Sequence, residues 1–156
     1  MKSNIGFFLC FSLFLISIPE ICPAQSYEET IQNFVHRIAE GKSDSVTPKL
    51  PTLREAYPHS PGVLYIEGLI TSDGREAIRY FTTVADSFPA NPWSADALAR
   101  MTEIFRTTGE SQHASQQIER LHREYPQSPY ITSNYLARIS SGDENAPPHR
   151  NIANEF

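Results

Sequence analysis

Histidines and carboxylates are the residues of this chain best suited to chemistry, so their spacing is weighed first. The five histidines are His36, His59, His113, His122 and His149. Two imidazoles share a metal ion when they stand about one helical turn apart on one face, and no pair here has that spacing. His113 and His122, nine positions apart, fall on opposite faces of any helix that holds both. Glu28-Glu29 reads as a favourable pair in the first turn of a helix, where negative charge meets the positive end of the helix dipole. Asp143-Glu144 falls in a polar C-terminal stretch, so no carboxylate pair is singled out for acid–base work. Gly62, Gly68 and Gly74 are too dispersed to form a phosphate-cradling loop. The sequence therefore nominates no catalytic residue, metal site or cofactor, and the expectation is a binding protein, not an enzyme.

Charge narrows the partners. The 156 residues carry a formal net charge of −5, with both signs interspersed along the chain. The basic footprint that nucleic acid requires is missing, and the charges read as solvated helix faces.

The first residues have the composition of an export signal. Lys2 gives a positive start, Ile5 to Ile18 is largely apolar, and Cys22-Pro23-Ala24 offers small residues around a cut after Ala24. Pro19 and Glu20 follow the apolar run too closely for a comfortable membrane span, so residues 1–24 are expected to be a cleaved signal. No integral membrane segment is then expected in the mature chain. Both cysteines, Cys10 and Cys22, lie in this segment, which leaves the mature chain without a thiol, a disulfide or a Cys-based metal site. Lipid attachment needs a small residue directly before the cysteine, whereas Leu9 and Ile21 stand there.

The elements that would position any binding residue announce themselves by a repeated punctuation mark. Tyr57-Pro58-His59-Ser60-Pro61 returns as Phe88-Pro89-Ala90-Asn91-Pro92 and again as Tyr125-Pro126-Gln127-Ser128-Pro129, at intervals of 31 and 37 residues. The first proline stops a helix because it lacks a donor and restricts its predecessor. Ser or Asn caps the next helix, and the second proline sits in that helix's first turn, where no backbone bond is missed. Upstream of each mark, apolar residues recur at i, i+4, i+7 and i+11: Val46, Leu50, Leu53, Tyr57; Ala77, Phe81, Val84, Phe88; Ala114, Ile118, Leu121, Tyr125. Partner helices fill the intervals. They run from Tyr27 to about Gly41, Pro61 to about Thr71, Pro92 to Thr108 (stopped by Gly109) and Tyr130 to Ile139. Pro48 and Pro51 leave the start of the helix before Tyr57 open, with Thr52 as one choice. No stretch alternates with a period of two, so no sheet is predicted. After Ser140 the chain turns polar and proline-rich, and residues 141–156 read as a disordered tail.

This pattern resembles the tetratricopeptide repeat. In Ala95 to Pro126, Leu98, Met101 and Phe105 stand where that family packs its first helix, and Gly109 marks the turn. Ala114, Ile118 and Leu121 line the second helix, and Pro126 closes the unit. The Tyr-Pro-x-Ser-Pro junction at 125–129 is similar to that of periplasmic envelope members, namely the outer-membrane assembly lipoprotein D family and the coordinator associated with the Tol–Pal system. The resemblance implies an all-α, short right-handed helical solenoid of about six helices over residues 25–140. It also implies a place in a bacterial cell envelope or periplasm, or secretion, and a role as adaptor or scaffold for a protein or peptide partner. The alternative is a structural subunit that self-associates or packs into a larger envelope assembly, such as one for outer-membrane protein assembly; oligomeric state is left open. In such a solenoid the first helix of each pair lines a groove, which makes Tyr65, Asp96, Ala99, Glu103 and Arg106 the candidate partner contacts. Members that clamp a peptide's terminal carboxylate carry Lys and Asn at two of these places. Ala99 and Glu103 stand there instead, so an extended or helical segment is the expected partner. Trp93 and the junction aromatics Tyr57, Phe88 and Tyr125 read as packing residues.

Overall fold

A computed structural model describes residues 23–132 and Tyr135, with side chains from Tyr27 onward. The expected signal up to residue 22, the end of the last helix and the tail at 141–156 lie outside the described residues, as does His149. The described residues form seven α-helices and no strand: α1 Pro23–Ala39, α2 Leu50–Ala56, α3 Pro61–Ile70, α4 Gly74–Ser87, α5 Pro92–Thr107, α6 Ser111–Glu124 and α7 Pro129–Thr132. The expected cut after Ala24 falls in the first turn of α1. Seven helices replace the six or so expected, because the segment before Tyr57 does close into α2. Pro51 occupies its first turn, where a missing N–H costs nothing. Ahead of it two short 3-10 helices, Ser43–Ser45 and Thr47–Lys49, replace the longer helix that the Val46 stripe suggested.

The three punctuation marks share one backbone geometry. Tyr57, Phe88 and Tyr125 end α2, α4 and α6 with φ of −136°, −132° and −134° and ψ of 64°, 51° and 57°. Their N–H groups donate to the carbonyls of Leu53, Val84 and Leu121 at 2.9, 3.1 and 2.9 Å. Their own carbonyls then accept from the N–H of Ser60, Asn91 and Ser128 at 3.2, 2.8 and 2.9 Å, which turns the chain. The side chains of those three residues accept from Val63, Trp93 and Tyr130 N–H at 3.5, 3.0 and 3.4 Å and so start α3, α5 and α7. α4 uses another cap: the Asp73 carboxylate accepts from Arg75 and Glu76 N–H at 2.8 and 3.1 Å. Gly109, at φ +79°, ends α5 where a side chain would be strained.

Packing follows chain order. α3 packs on α4, α4 on α5 and α5 on α6, while α1 and α5 also reach α3. Val84 and Leu121, equivalent on their stripes, are fully buried, whereas the corresponding Leu53 of the shorter α2 is half-buried. Ser94, also fully buried, ties α5 to the end of α4 by donating to the Phe88 and Val84 carbonyls at 2.6 and 3.2 Å. Arg54 on α2 pairs with the buried Glu67 on α3. Two glycines of α3 let neighbours close in: a Cβ on Gly62 would meet Ile31 at 2.8 Å, and one on Gly68 would meet the Phe81 ring at 2.6 Å. Among the described residues no helix is long and apolar enough to cross a membrane.

Candidate functional site

One face of α5 gathers the polar side chains that α3, Tyr130 and Tyr135 bring to it. Asp96, Ala99, Arg100 and Glu103 stand at i, i+3, i+4 and i+7, hence on one stripe of α5. From the α3 side, the Tyr65 ring stacks on Trp93 at 5.1 Å and tilts against Phe81 at 5.6 Å. Its hydroxyl accepts from Arg100 Nε at 3.4 Å, and Arg100 Nη1 donates to Glu103 Oε2 at 3.2 Å. From the other side, Tyr130 Oη donates to Asp96 Oδ1 at 2.7 Å, and Tyr135 Oη donates to Glu103. The two tyrosine rings meet edge to face at 5.3 Å. Six polar groups from three places in the chain thus share one strip.

Of the five groove candidates, Tyr65, Asp96 and Glu103 belong to this strip. Ala99 lies beneath it, 1% exposed, and Tyr65 is 2% exposed, so both serve contacts between helices. Arg106 follows about one turn later on α5, half-buried. Sequence reading missed Arg100, Tyr130 and Tyr135. The α5 spacing Asp96, Arg100, Glu103 carries a signal for the first, but nothing local pairs α5 with tyrosines more than thirty residues away.

Beside the strip opens a cavity of about 670 Å³ where the first turns of α1 face the start of α5 and the junction at 125–129. Trp93, Tyr125 and Pro129 form apolar wall; Glu28, Gln32, Asp96 and Glu124 supply polar groups. Glu28, read from sequence only as a helix-start residue, lines the cavity with Trp93, whose indole N–H favours its charged form. Burial raises its pKa above the ordinary carboxylate range. Burial likewise raises Asp96 from 3.8 to about 6, against the opposing effects of the Tyr130 hydrogen bond and Arg100. Glu124 is held below the ordinary value by Arg120 and Arg123, which lie 3.3 and 2.6 Å from it.

The Asp96 shift has a sign that stability measurements can read. An acid whose folded pKa is raised binds its proton more tightly in the folded state, so stability falls as pH rises from about 4 to about 6 and stays lowered above. Asp96→Asn keeps an acceptor for Tyr130 and removes the charge. Urea unfolding at pH 7.5 is expected to show a gain of about 1–3 kcal/mol that shrinks steadily as pH drops through this window. An equal gain at pH 7.5 and pH 4 would refute the assignment.

The histidines stay apart from the strip. His36 lies on the surface beside Glu40 at 3.2 Å, and His113 beside Glu110 at 2.9 Å with its ring against Phe105. His59 and His122 are exposed. Among the described residues no group of His, Cys, Asp or Glu is placed to hold a metal ion. Comparisons with protein-family models, curated proteins and solved structures found no match for this chain.

Proposed function

We propose that this chain is an exported, non-enzymatic adaptor: a short tetratricopeptide-type solenoid that holds a protein or peptide partner in the cell envelope of a bacterium. The observation that carries the reading is the junction repeated three times with one backbone geometry. A turn of fixed shape, repeated between helices, applies a similar rotation each time, and repeated rotation generates a superhelix. The packing order agrees, since successive helices from α2 to α6 touch and α3 also touches α1 and α5, the helices two steps away. In such a stack α1, α3, α5 and α7 line the inner surface. The polar strip and the cavity beside it lie on these helices, so the partner sits there.

The signal-like start, with Lys2, the Ile5–Ile18 run and Ala24, supports export. An adaptor of this kind is monomeric until it meets its partner. Light scattering across a hundredfold concentration range is expected to return the mass of one chain throughout. A mass that climbs with concentration would replace this reading with a self-assembling structural subunit.

A further inference from the structure

The cavity at the head of the inner face has a chemistry of its own. Among the described residues the charged side chains lining it are acidic: Glu28, Asp96 and Glu124 line it, with no lysine or arginine among them. Glu124 is neutralised from outside by Arg120 and Arg123. Glu28 has the Trp93 indole beside it, and Asp96 accepts from the Tyr130 hydroxyl, with Arg100 along the strip only partly offsetting its burial. Trp93, Tyr125 and Pro129 supply the apolar wall between them.

Three kinds of occupant can be compared on energy. A purely apolar ligand would bury the two carboxylates further without adding a charge to balance them, which costs more than the apolar contact returns. An anion would meet like charge in a half-desolvated site. A cation flanked by apolar groups satisfies both the carboxylates and the wall, and aromatic faces add to the attraction. The volume, about 670 Å³, suits a few residues of a chain and exceeds the need of a lone ion.

We propose that this cavity docks a partner's peptide segment bearing one basic side chain among apolar residues. The cation meets Glu28 and Asp96, and the apolar neighbours lie on Trp93, Tyr125 and Pro129. The proposal rests on the adaptor reading and names the chemistry of its partner.

Trp93 is the single tryptophan of the chain and lines the cavity, so its fluorescence reports occupancy directly. The full chain is titrated with three end-blocked pentapeptides of leucine and proline that differ only at the centre: arginine, its neutral isostere citrulline, or glutamate. The arginine peptide is expected to shift the emission saturably and to bind at least tenfold more tightly than the citrulline peptide. Glu28→Gln with Asp96→Asn should erase that tenfold preference while keeping a cooperative thermal transition at or above that of the unaltered chain. Each single variant, tested alone, should weaken it by a smaller factor. Equal binding of the arginine and citrulline peptides overturns the proposal, as does any preference for glutamate. Emission that changes with protein concentration alone assigns the cavity to a second copy and overturns it too. If the arginine preference is absent while light scattering still reports a monomer that takes a partner elsewhere, only the cavity assignment falls.

Discussion

Leu121→Asp is expected to leave the chain without a cooperative thermal transition, whereas Leu53→Asp, at the equivalent place ahead of the first junction, is expected to keep one. Leu121 is fully buried between α6 and its neighbours, and its carbonyl is the acceptor that ends the helix. A carboxylate there loses the leucine's burial and gains an unpaired charge, a combined penalty on the order of 5 kcal/mol or more. That matches the whole stability of a domain of this size, about 5–15 kcal/mol. Leu53 is half-buried on the shorter α2, so its new charge reaches water. Ile118 on the same stripe as Leu121 is also only half-buried, and a charge there is expected to cost less. Circular dichroism melts of the three variants decide the matter, and equal losses would contradict the repeat register.

The contact between α3 and α4 can be tested from both sides. Phe81 is 2% exposed, and its ring lies against Gly68 and Tyr65. Phe81→Ala is expected to destabilise by about 3–5 kcal/mol, since the ring's burial is lost and a cavity remains. Gly68→Ala approaches the same contact by overfilling it. In a helix interior alanine is favoured over glycine by about 1 kcal/mol. Here its Cβ would come within 2.6 Å of a buried ring, which would have to shift to admit it. Overpacking of about 1–3 kcal/mol should outweigh the propensity gain and give a net loss. Urea titration reads both changes, and a stabilised Gly68→Ala variant would refute the close approach.

Local signals made the helix order legible in the sequence. Proline, a capping side chain and an aromatic act on their immediate neighbours, so the three junctions and the starts of α3 and α5 could be placed from residue type alone. Val46 shows where such reading stops: it is fully buried as the stripe required, yet it lies between two 3-10 helices. Burial is shared by a helix and a compact bend, and a four-point apolar pattern does not separate them. The site was legible only in part. Asp96 and Glu103 follow from the face of one helix, but their partners Tyr130 and Tyr135 come from far along the chain, and pairing at that range is fixed by tertiary packing. Glu28 was hidden for a related reason. Its spacing says helix start, and only the approach of α1 to Trp93 turns it toward a cavity.

Site-specific photo-cross-linking in the producing cell tests the central claim most directly. A photoreactive residue replaces Gln32, which lines the cavity, and in a parallel strain replaces Gln116, exposed on α6. The account predicts one discrete protein adduct from position 32 and none from position 116, with the Gln32 adduct lost in the Glu28→Gln, Asp96→Asn background. The same adducts from both positions, or none from position 32, would contradict it.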